Sequence, residues 1–248
     1  MDEDLDRLAS AIRKAGSTVA LTGAGVSTAS GIPDFRGESG IWETRFDPAD
    51  FRIGRFLSDP TGFWDDRLDL HEAMFPAEIA PNPAHDALAA MESAGHLDAV
   101  ITQNTDGLHQ RAGSERVLEL HGNAQRVVCM DCGRRSDAAP VRERVRDGEL
   151  PPRCVCGGLL KPDVVLFGES LPEAILADAR RRANESDVFL AVGSSLSVEP
   201  AASLPSAAAR NGFLAICNLD PTPHDGRAAI VLREDVTEAL PALVGRLP

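Results

Sequence analysis

Five short runs carry residues suited to chemistry. The sequence Thr22-Gly23-Ala24-Gly25-Val26-Ser27 is a glycine-rich turn whose backbone N–H groups could close on a pyrophosphate at a helix N-terminus. Thr28 takes the place of the third glycine of the dinucleotide fingerprint, so an ordinary strand–helix turn stays open as a reading. The continuation Gly31–Gly37 sets Asp34, Phe35 and Arg36 between glycines, the make-up of a loop that folds over a ligand. Gln103, Asn104 and Asp106 offer two carboxamides and an acid within four positions. His121 follows the apolar run Val117–Leu120 and could take a proton near neutral pH. Gly193-Ser194-Ser195 and Asn218-Leu219-Asp220 offer small polar groups suited to phosphate and ribose. Each has a plainer alternative: a cap for Asn104, Asp106, Ser194 or Asn218, a structural imidazole for His121.

The cysteines form a separate constellation. Cys129 and Cys132 are spaced C-x2-C, and Cys154 and Cys156 are spaced C-x-C. Two close pairs fit a tetrahedral zinc ion better than a redox couple, and four thiolates leave no open coordination position, so such a metal is structural. Cys217 stands alone in the apolar run Phe213–Cys217 and reads as a core thiol.

These groups need elements to position them. Leu5, Leu8, Ala9 and Ile12 recur at helical spacing up to Gly16. Thr18–Leu21, Ala99–Thr102, Val164–Phe167, Val188–Val192 and Leu214–Cys217 read as short buried strands. Helices are expected from Asn82-Pro83 to Gly95, around Glu173–Arg182 and around Ala201–Arg210. Such alternation predicts an α/β fold, a doubly wound parallel sheet with helices on both faces. Four of the five polar runs then fall at or just beyond strand ends, where an open α/β sheet holds its ligand. Two segments interrupt the rhythm: an aromatic-rich stretch from about 37 to 81, read as a helical insertion, and the cysteine segment from about 123 to 160. The expected organisation is one catalytic domain over 1–248. Its large Rossmann-like lobe covers about 1–36, 82–122 and 161–248, and the two interrupting segments form a smaller lobe.

Composition bounds the function. With 248 residues, 43% of them apolar, the chain can bury a real core. The acidic start and the short apolar runs predict a cytoplasmic protein without a membrane span. Against 38 acids stand 25 basic residues, of which only Lys14 and Lys161 are lysine. That balance fits adaptation to high salt or a GC-rich coding bias, and a net charge of -13 opposes nucleic-acid binding. The cysteine segment, with seven arginines and five acids, is near neutral once four thiolates hold one zinc.

Taken together, GAGVSTASGIPDFRG, TQNTDGLHQRAG, LELHG, the cysteine pairs, KPDVVLFGE, GSSLSVEPA and NLDP resemble, in order, the sirtuins, NAD-dependent protein-lysine deacylases. The resemblance runs from about Val19 to Asp220. It implies that Gly23, Ala24, Gly25 and Ser27 hold the NAD pyrophosphate, and that Asp34, Phe35 and Arg36 close over the cofactor. Gln103, Asn104 and Asp106 would line nicotinamide and its ribose. Gly193, Ser194 and Ser195 would contact phosphate and ribose, with Asn218, Leu219, Asp220 and Val236 at the adenosine end. Val165, Leu166, Phe167, Gly168 and Glu169 match the segment that pairs with an extended substrate peptide. Asn104, Asp106 and His121 would be catalytic, and Cys129, Cys132, Cys154 and Cys156 would hold one structural zinc.

The implied reaction transfers the acyl group to ADP-ribose. The acyl oxygen displaces nicotinamide to give an alkylimidate, and His121 as a neutral imidazole takes a proton from the ribose diol. The products are nicotinamide, O-acyl-ADP-ribose and free lysine. Two departures bear on the pocket. Thr105 stands where many relatives carry an aliphatic residue. Trp64 with Arg67 stands where members preferring succinyl or malonyl groups carry Tyr-x-x-Arg. Trp64 offers an N–H donor only, and Asp65 and Asp66 lie beside it, which favours deacetylation over desuccinylation or demalonylation. Mono-ADP-ribosyl transfer and NAD sensing without turnover are the alternatives. The expected partners are acyl-lysine proteins, with no membrane and no nucleic acid, and a monomer is the default.

Overall fold

Alternate residues of short apolar runs face opposite sides of the larger sheet. The computed structural model describes residues 2–34, 41–75, 79–210 and 212–247, with Glu43 in backbone only. Phe35 and Arg36 of the expected closing loop lie outside them. Nine strands occur among the described residues: β1 (Thr18–Thr22), β2 (Ala99–Thr102), β3 (Val117–Glu119), β4 (Gly122–Cys129), β5 (Arg135–Asp137), β6 (Leu160–Val164), β7 (Val188–Val192), β8 (Phe213–Cys217) and β9 (Ile230–Leu232). Six of them form one sheet in the order β3-β2-β1-β7-β8-β9, with every pair parallel. The strand order reverses between β1 and β7, the topological switch point where such sheets bind ligands.

The two faces of this sheet have separate cores. Ala20, Val100, Leu190 and Ala215 pack with helices Asp2–Lys14, Pro83–Ser93 and Val236–Val244. Val19, Leu21, Ile101, Phe189 and Ile216 pack on the other face with Glu173–Glu185 and Leu204–Ala208. Truncating a fully buried leucine of either core, such as Leu21 or Leu88, costs about 2–5 kcal/mol. The first helix buries Leu5, Leu8, Ala9 and Ile12 as their spacing requires, with acids in its first turn and bases in its last. The Asn82 side chain caps the helix behind Pro83, accepting from Ala84 N–H at 2.9 Å.

The remaining strands make an antiparallel sheet, β5-β4-β6, and here one expectation fails. Val164–Phe167 is not a strand of the parallel sheet: β6 ends at Val164 after pairing with β4. The backbone beyond it bonds elsewhere, Val165 N–H to His121 O at 2.9 Å and Phe167 N–H to Phe51 O at 3.1 Å. The aromatic-rich stretch is helical as expected, with helices Ile41–Thr44, Ile53–Ser58 and Pro60–Met74. Its Phe51, Phe56, Phe63 and Trp64 share a core with Val127, Cys129, Val141 and Leu160 of the cysteine segment. The sheet is thus doubly wound and Rossmann-like, with a smaller lobe of helical insertion and cysteine module. Among the described residues no helix is long and apolar enough to cross a membrane.

Candidate active site

At the switch point two glycine turns touch. Thr22 pairs with Val192, and Gly25 N–H then donates to Gly193 O at 2.8 Å. A Cβ on Gly25 would lie 2.9 Å from Gly193 O, and one on Gly193 would lie 2.4 Å from Val26 N, where φ is already +56°. Neither position has room for a side chain. Two 3-10 turns, Ala24–Val26 and Thr28–Ser30, follow β1 where a helix was expected. Within the turn Gly23, Gly25, Val26 and Ser27 donate their amides to protein carbonyls. The Ala24 N–H is the donor that the turn can present to an anion.

A cleft of about 650 Å³ opens above these turns, within the range of small-molecule sites. It is lined by Gly23, Ala24, Gly25, Asp34, Gln103, Asn104, His121, Gly193, Ser194, Ser195, Asn218, Leu219, Asp220 and Val236. Arg67 and the segment from Val165 to Glu169 line it too. Most of the residues expected at the site therefore surround one cavity. Ser27 and Asp106 lie one layer behind it, 1% and 7% exposed.

That second layer is a closed hydrogen-bond network. Ser27 Oγ donates to Asp106 Oδ2 at 2.8 Å and accepts from Asn104 Nδ2 at 3.0 Å. His85 Nδ1 accepts from Asn82 N–H, so its Nε2 carries the proton directed at Ser27 Oγ. Asp106 Oδ1 accepts from Leu108 N–H at 2.8 Å. Burial raises the Asp106 pKa, against the bonds from Leu108 and Ser27 that favour its anion. Asn104 donates its other amide hydrogen to Gly23 O at 3.0 Å, so what it can offer the cleft is its carbonyl oxygen. Gln103 Nε2 donates to Ser194 Oγ at 2.9 Å and ties the end of β2 to that of β7. Deeper still, His109 Nε2 bonds Thr22 Oγ1 at 2.9 Å. Burial depresses His109 to about 3 and His85 to about 4, so both are neutral.

His121 Nδ1 lies 2.8 Å from Gln103 O, and a carbonyl can only accept. Nδ1 therefore donates, and Nε2 is the basic nitrogen of the neutral ring. Gly122 directly after it has φ +76° and approaches Asp163 O so closely that a Cβ would sit 2.1 Å away. Together with the Val165 N–H bond to His121 O, this sets the height of the imidazole above the cleft floor.

The acyl end differs from the sequence expectation at one residue. Trp64 is 3% exposed in the small-lobe core, and its indole N–H donates to Leu160 O at 2.8 Å. It does not line the cleft beside Arg67, because its only donor is engaged in holding β6. Arg67 lines the cleft alone, with no carboxylate partner among the described residues, and burial beside Arg142 lowers it to about 10, still protonated at neutral pH. Asp66 pairs with Arg55 at 3.2 Å, and neither it nor Asp65 lines the cleft. Sequence reasoning missed the apolar wall of Trp42, Phe51, Leu70, Met74 and Phe75, scattered over three helical segments and the residue that follows the last of them, with only Leu70 and Met74 at helical spacing. It also missed His85 and His109, whose burial behind the glycine turn has no local signature.

The four cysteines converge as expected. All Sγ atoms lie within 4.8 Å of one another, with Cys129–Cys156 at 3.5 Å and Cys132–Cys154 at 3.9 Å. A tetrahedral zinc with Zn–S of about 2.3 Å needs sulfurs about 3.8 Å apart, so the set fits the ion. Cys217 is apart from them, and burial pushes its thiol up to about 12.

Comparison with known proteins adds the lineage. The model of the Sir2 family matches residues 23–200. An NAD-dependent protein deacetylase of Haloarcula marismortui is 59% identical over 248 residues, covering 99% of this chain and 95% of that protein. A solved Sir2 structure with p53 peptide and NAD+ is 38% identical, covers 96% of both chains and superposes with a TM-score of 0.85. A Sir2 variant with deacetylated p53 peptide and 3'-O-acetyl ADP ribose is 38% identical, covers 98% of this chain and 99% of that one, and gives a TM-score of 0.89. With its glycine turns at the switch point, its strand-end histidine and its four-cysteine knuckle, the chain belongs to the Sir2 family, the sirtuins.

Proposed function

We propose that the protein removes acetyl groups from protein lysines at the expense of NAD, giving nicotinamide, O-acetyl-ADP-ribose and free lysine. The observation that carries this reading is the His121 imidazole, held through Nδ1 with Nε2 as its base, on the same cleft as the paired glycine turns. NAD supplies an anomeric carbon bearing nicotinamide as a leaving group. Ala24 N–H, Ser194 and Ser195 would hold the phosphates, Asn218, Leu219, Asp220 and Val236 the adenosine end, and Asp34 a side of the mouth. Phe35 and Arg36 are proposed for the closing loop on the resemblance alone. Asn104 Oδ1 would orient a hydroxyl or water, kept in place by Ser27 and Asp106. His121 Nε2 would accept the ribose proton, a general-base step worth roughly 10²–10⁴-fold. Val165–Glu169 would align the peptide. Zinc on Cys129, Cys132, Cys154 and Cys156 would hold the module in shape and take no part in the steps. A cytoplasmic, monomeric enzyme acting on acyl-lysine proteins, organised as one catalytic domain over 1–248 with the lobes set out above, completes the reading.

A second reading has its own observation. Arg67, cationic and without a carboxylate partner among the described residues, lines an otherwise apolar stretch of the cleft and suits a succinyl or malonyl carboxylate. The test is incubation with NAD and matched acetyl- and succinyl-lysine peptides at low and molar salt, following nicotinamide and peptide mass. Peptide-dependent release lost in His121→Ala, with the acetyl peptide faster, is the expected result. ADP-ribose appearing on protein without deacylation would overturn both readings in favour of a transferase.

A further inference from the structure

Of the 25 basic residues besides histidine, Lys14 and Lys161 alone are lysine. Lys14 is exposed at the end of the first helix, whereas Lys161 is 7% exposed in β6. A buried ammonium is costly unless paired and hydrogen-bonded, and this one is both. Its Nζ donates to Val164 O at 2.7 Å and to Glu169 Oε2 at 2.9 Å. The same Oε2 accepts Leu166 N–H at 2.7 Å, and Glu169 N–H returns to Leu166 O at 3.0 Å across a turn in which Gly168 has φ +88°. One ammonium and one carboxylate oxygen thereby close residues 164–169 into a loop.

That loop is a wall of the cleft. On one side it is tied to His121 through Val165, and to the helical insertion through Phe167 N–H to Phe51 O and Ile53 N–H to Phe167 O at 3.0 Å. Beneath, it is tied by the Lys161–Glu169 clamp. Two acceptors converge on a single nitrogen in a buried site filled by a compact ammonium, into which arginine would have to fit a longer side chain with a wider, planar head. A chain that otherwise uses arginine almost throughout carries lysine here.

We propose that Lys161 is a positioning residue for the acyl-peptide: with Glu169 it holds Val165–Gly168 in the conformation with which the substrate backbone pairs, and so sets peptide affinity without setting cofactor affinity. This rests on the deacylase reading. The test compares wild type, Lys161→Met, Lys161→Arg and Lys161→Met/Glu169→Gln. It measures peptide KM, fluorescence anisotropy of a labelled acetyl-lysine peptide, ADP-ribose affinity by calorimetry, and Tm. Loss of a charged hydrogen bond should raise peptide KM and weaken peptide binding by about tenfold or more in Lys161→Met, with ADP-ribose affinity within about twofold. Lys161→Arg should stay defective. The double variant, which no longer leaves a half-buried carboxylate without its ammonium, should recover Tm without recovering peptide affinity. Unchanged peptide affinity in Lys161→Met, or recovery of affinity together with Tm in the double variant, would overturn the proposal. If wild type binds peptide but does not turn it over, the deacylase reading fails while the affinity comparison still decides the role of Lys161. If it neither binds nor turns over peptide, both fall.

Discussion

The floor and the far wall of the cleft are built on different principles. On the floor, Ser27, Asn104, Gln103, Asp106 and His121 have their protein-facing polar atoms matched to partners at 2.8–3.0 Å, behind two glycine turns with no room for a side chain. The acyl wall is Trp42, Phe51, Leu70, Met74 and Phe75, interrupted by one arginine. A satisfied buried polar network is stiff and intolerant, because removing one member strands the others. An apolar wall tolerates exchange of volume for volume, and its selectivity rests on whatever charge it carries. Chemistry and acyl choice should therefore respond to mutation on separate scales.

The largest effect should come from the floor. His121→Ala should lower kcat for deacetylation by about 10²–10⁴-fold while ADP-ribose affinity, read by calorimetry, stays near wild type. An equal loss in Arg67→Met would erase the distinction between floor and wall. Next comes the zinc module, whose core is continuous with the wall through Cys129, Val127 and Leu160. Stripping the metal with a strong chelator, or Cys154→Ser, should lower Tm and activity together, and elemental analysis should find one zinc per chain. An intermediate effect is expected at Arg67: Arg67→Met should cut turnover of succinyl-lysine relative to acetyl-lysine peptide by about 10–100-fold, the worth of a charged hydrogen bond. An unchanged ratio would leave the wall without a charge-reading role.

The smallest effect is in pH dependence. His85 and His109 stay neutral in the fold down to about 4 and about 3, against an ordinary 6.5. Below pH 6.5 the unfolded chain binds protons that the fold does not, so stability falls as pH drops toward 4. Each imidazole contributes up to about 1.4 kcal/mol per pH unit. His71, lowered by burial and the nearby arginines, adds the same sign. Asp106, raised by burial, opposes it by binding a proton first in the fold. Denaturant titrations at pH 6.5, 5.5 and 4.5 should show the decline, and His109→Gln should make it shallower.

The floor was legible in the sequence and the wall was not, for a physical reason. Strand-end residues announce themselves because a continuous apolar run such as Val188–Val192, buried on both faces, must stop where polar Gly193-Ser194-Ser195 begins. The cysteine spacing announces a metal in the same local way. The roles of individual floor residues toward NAD remain proposals, but their meeting at one cavity follows from the parallel topology. Wall residues come from helices whose mutual packing no local pattern records. Trp64 illustrates the cost: its place in the sequence suggests a partner for Arg67, yet its size and apolarity send it into the core, with the N–H on Leu160. Val164–Phe167 misled likewise, being apolar like a buried strand although its amides serve His121 and Phe51.

The burial of Lys161 also bears on handling the protein. Amine-directed reagents, and acyl donors that modify lysine without an enzyme, find Lys14 as the exposed ε-amine. An enzyme that acts on acylated lysines thus presents almost no lysine of its own to become background in an assay. The same scarcity allows a dye or surface linker to be directed to the far end of the first helix.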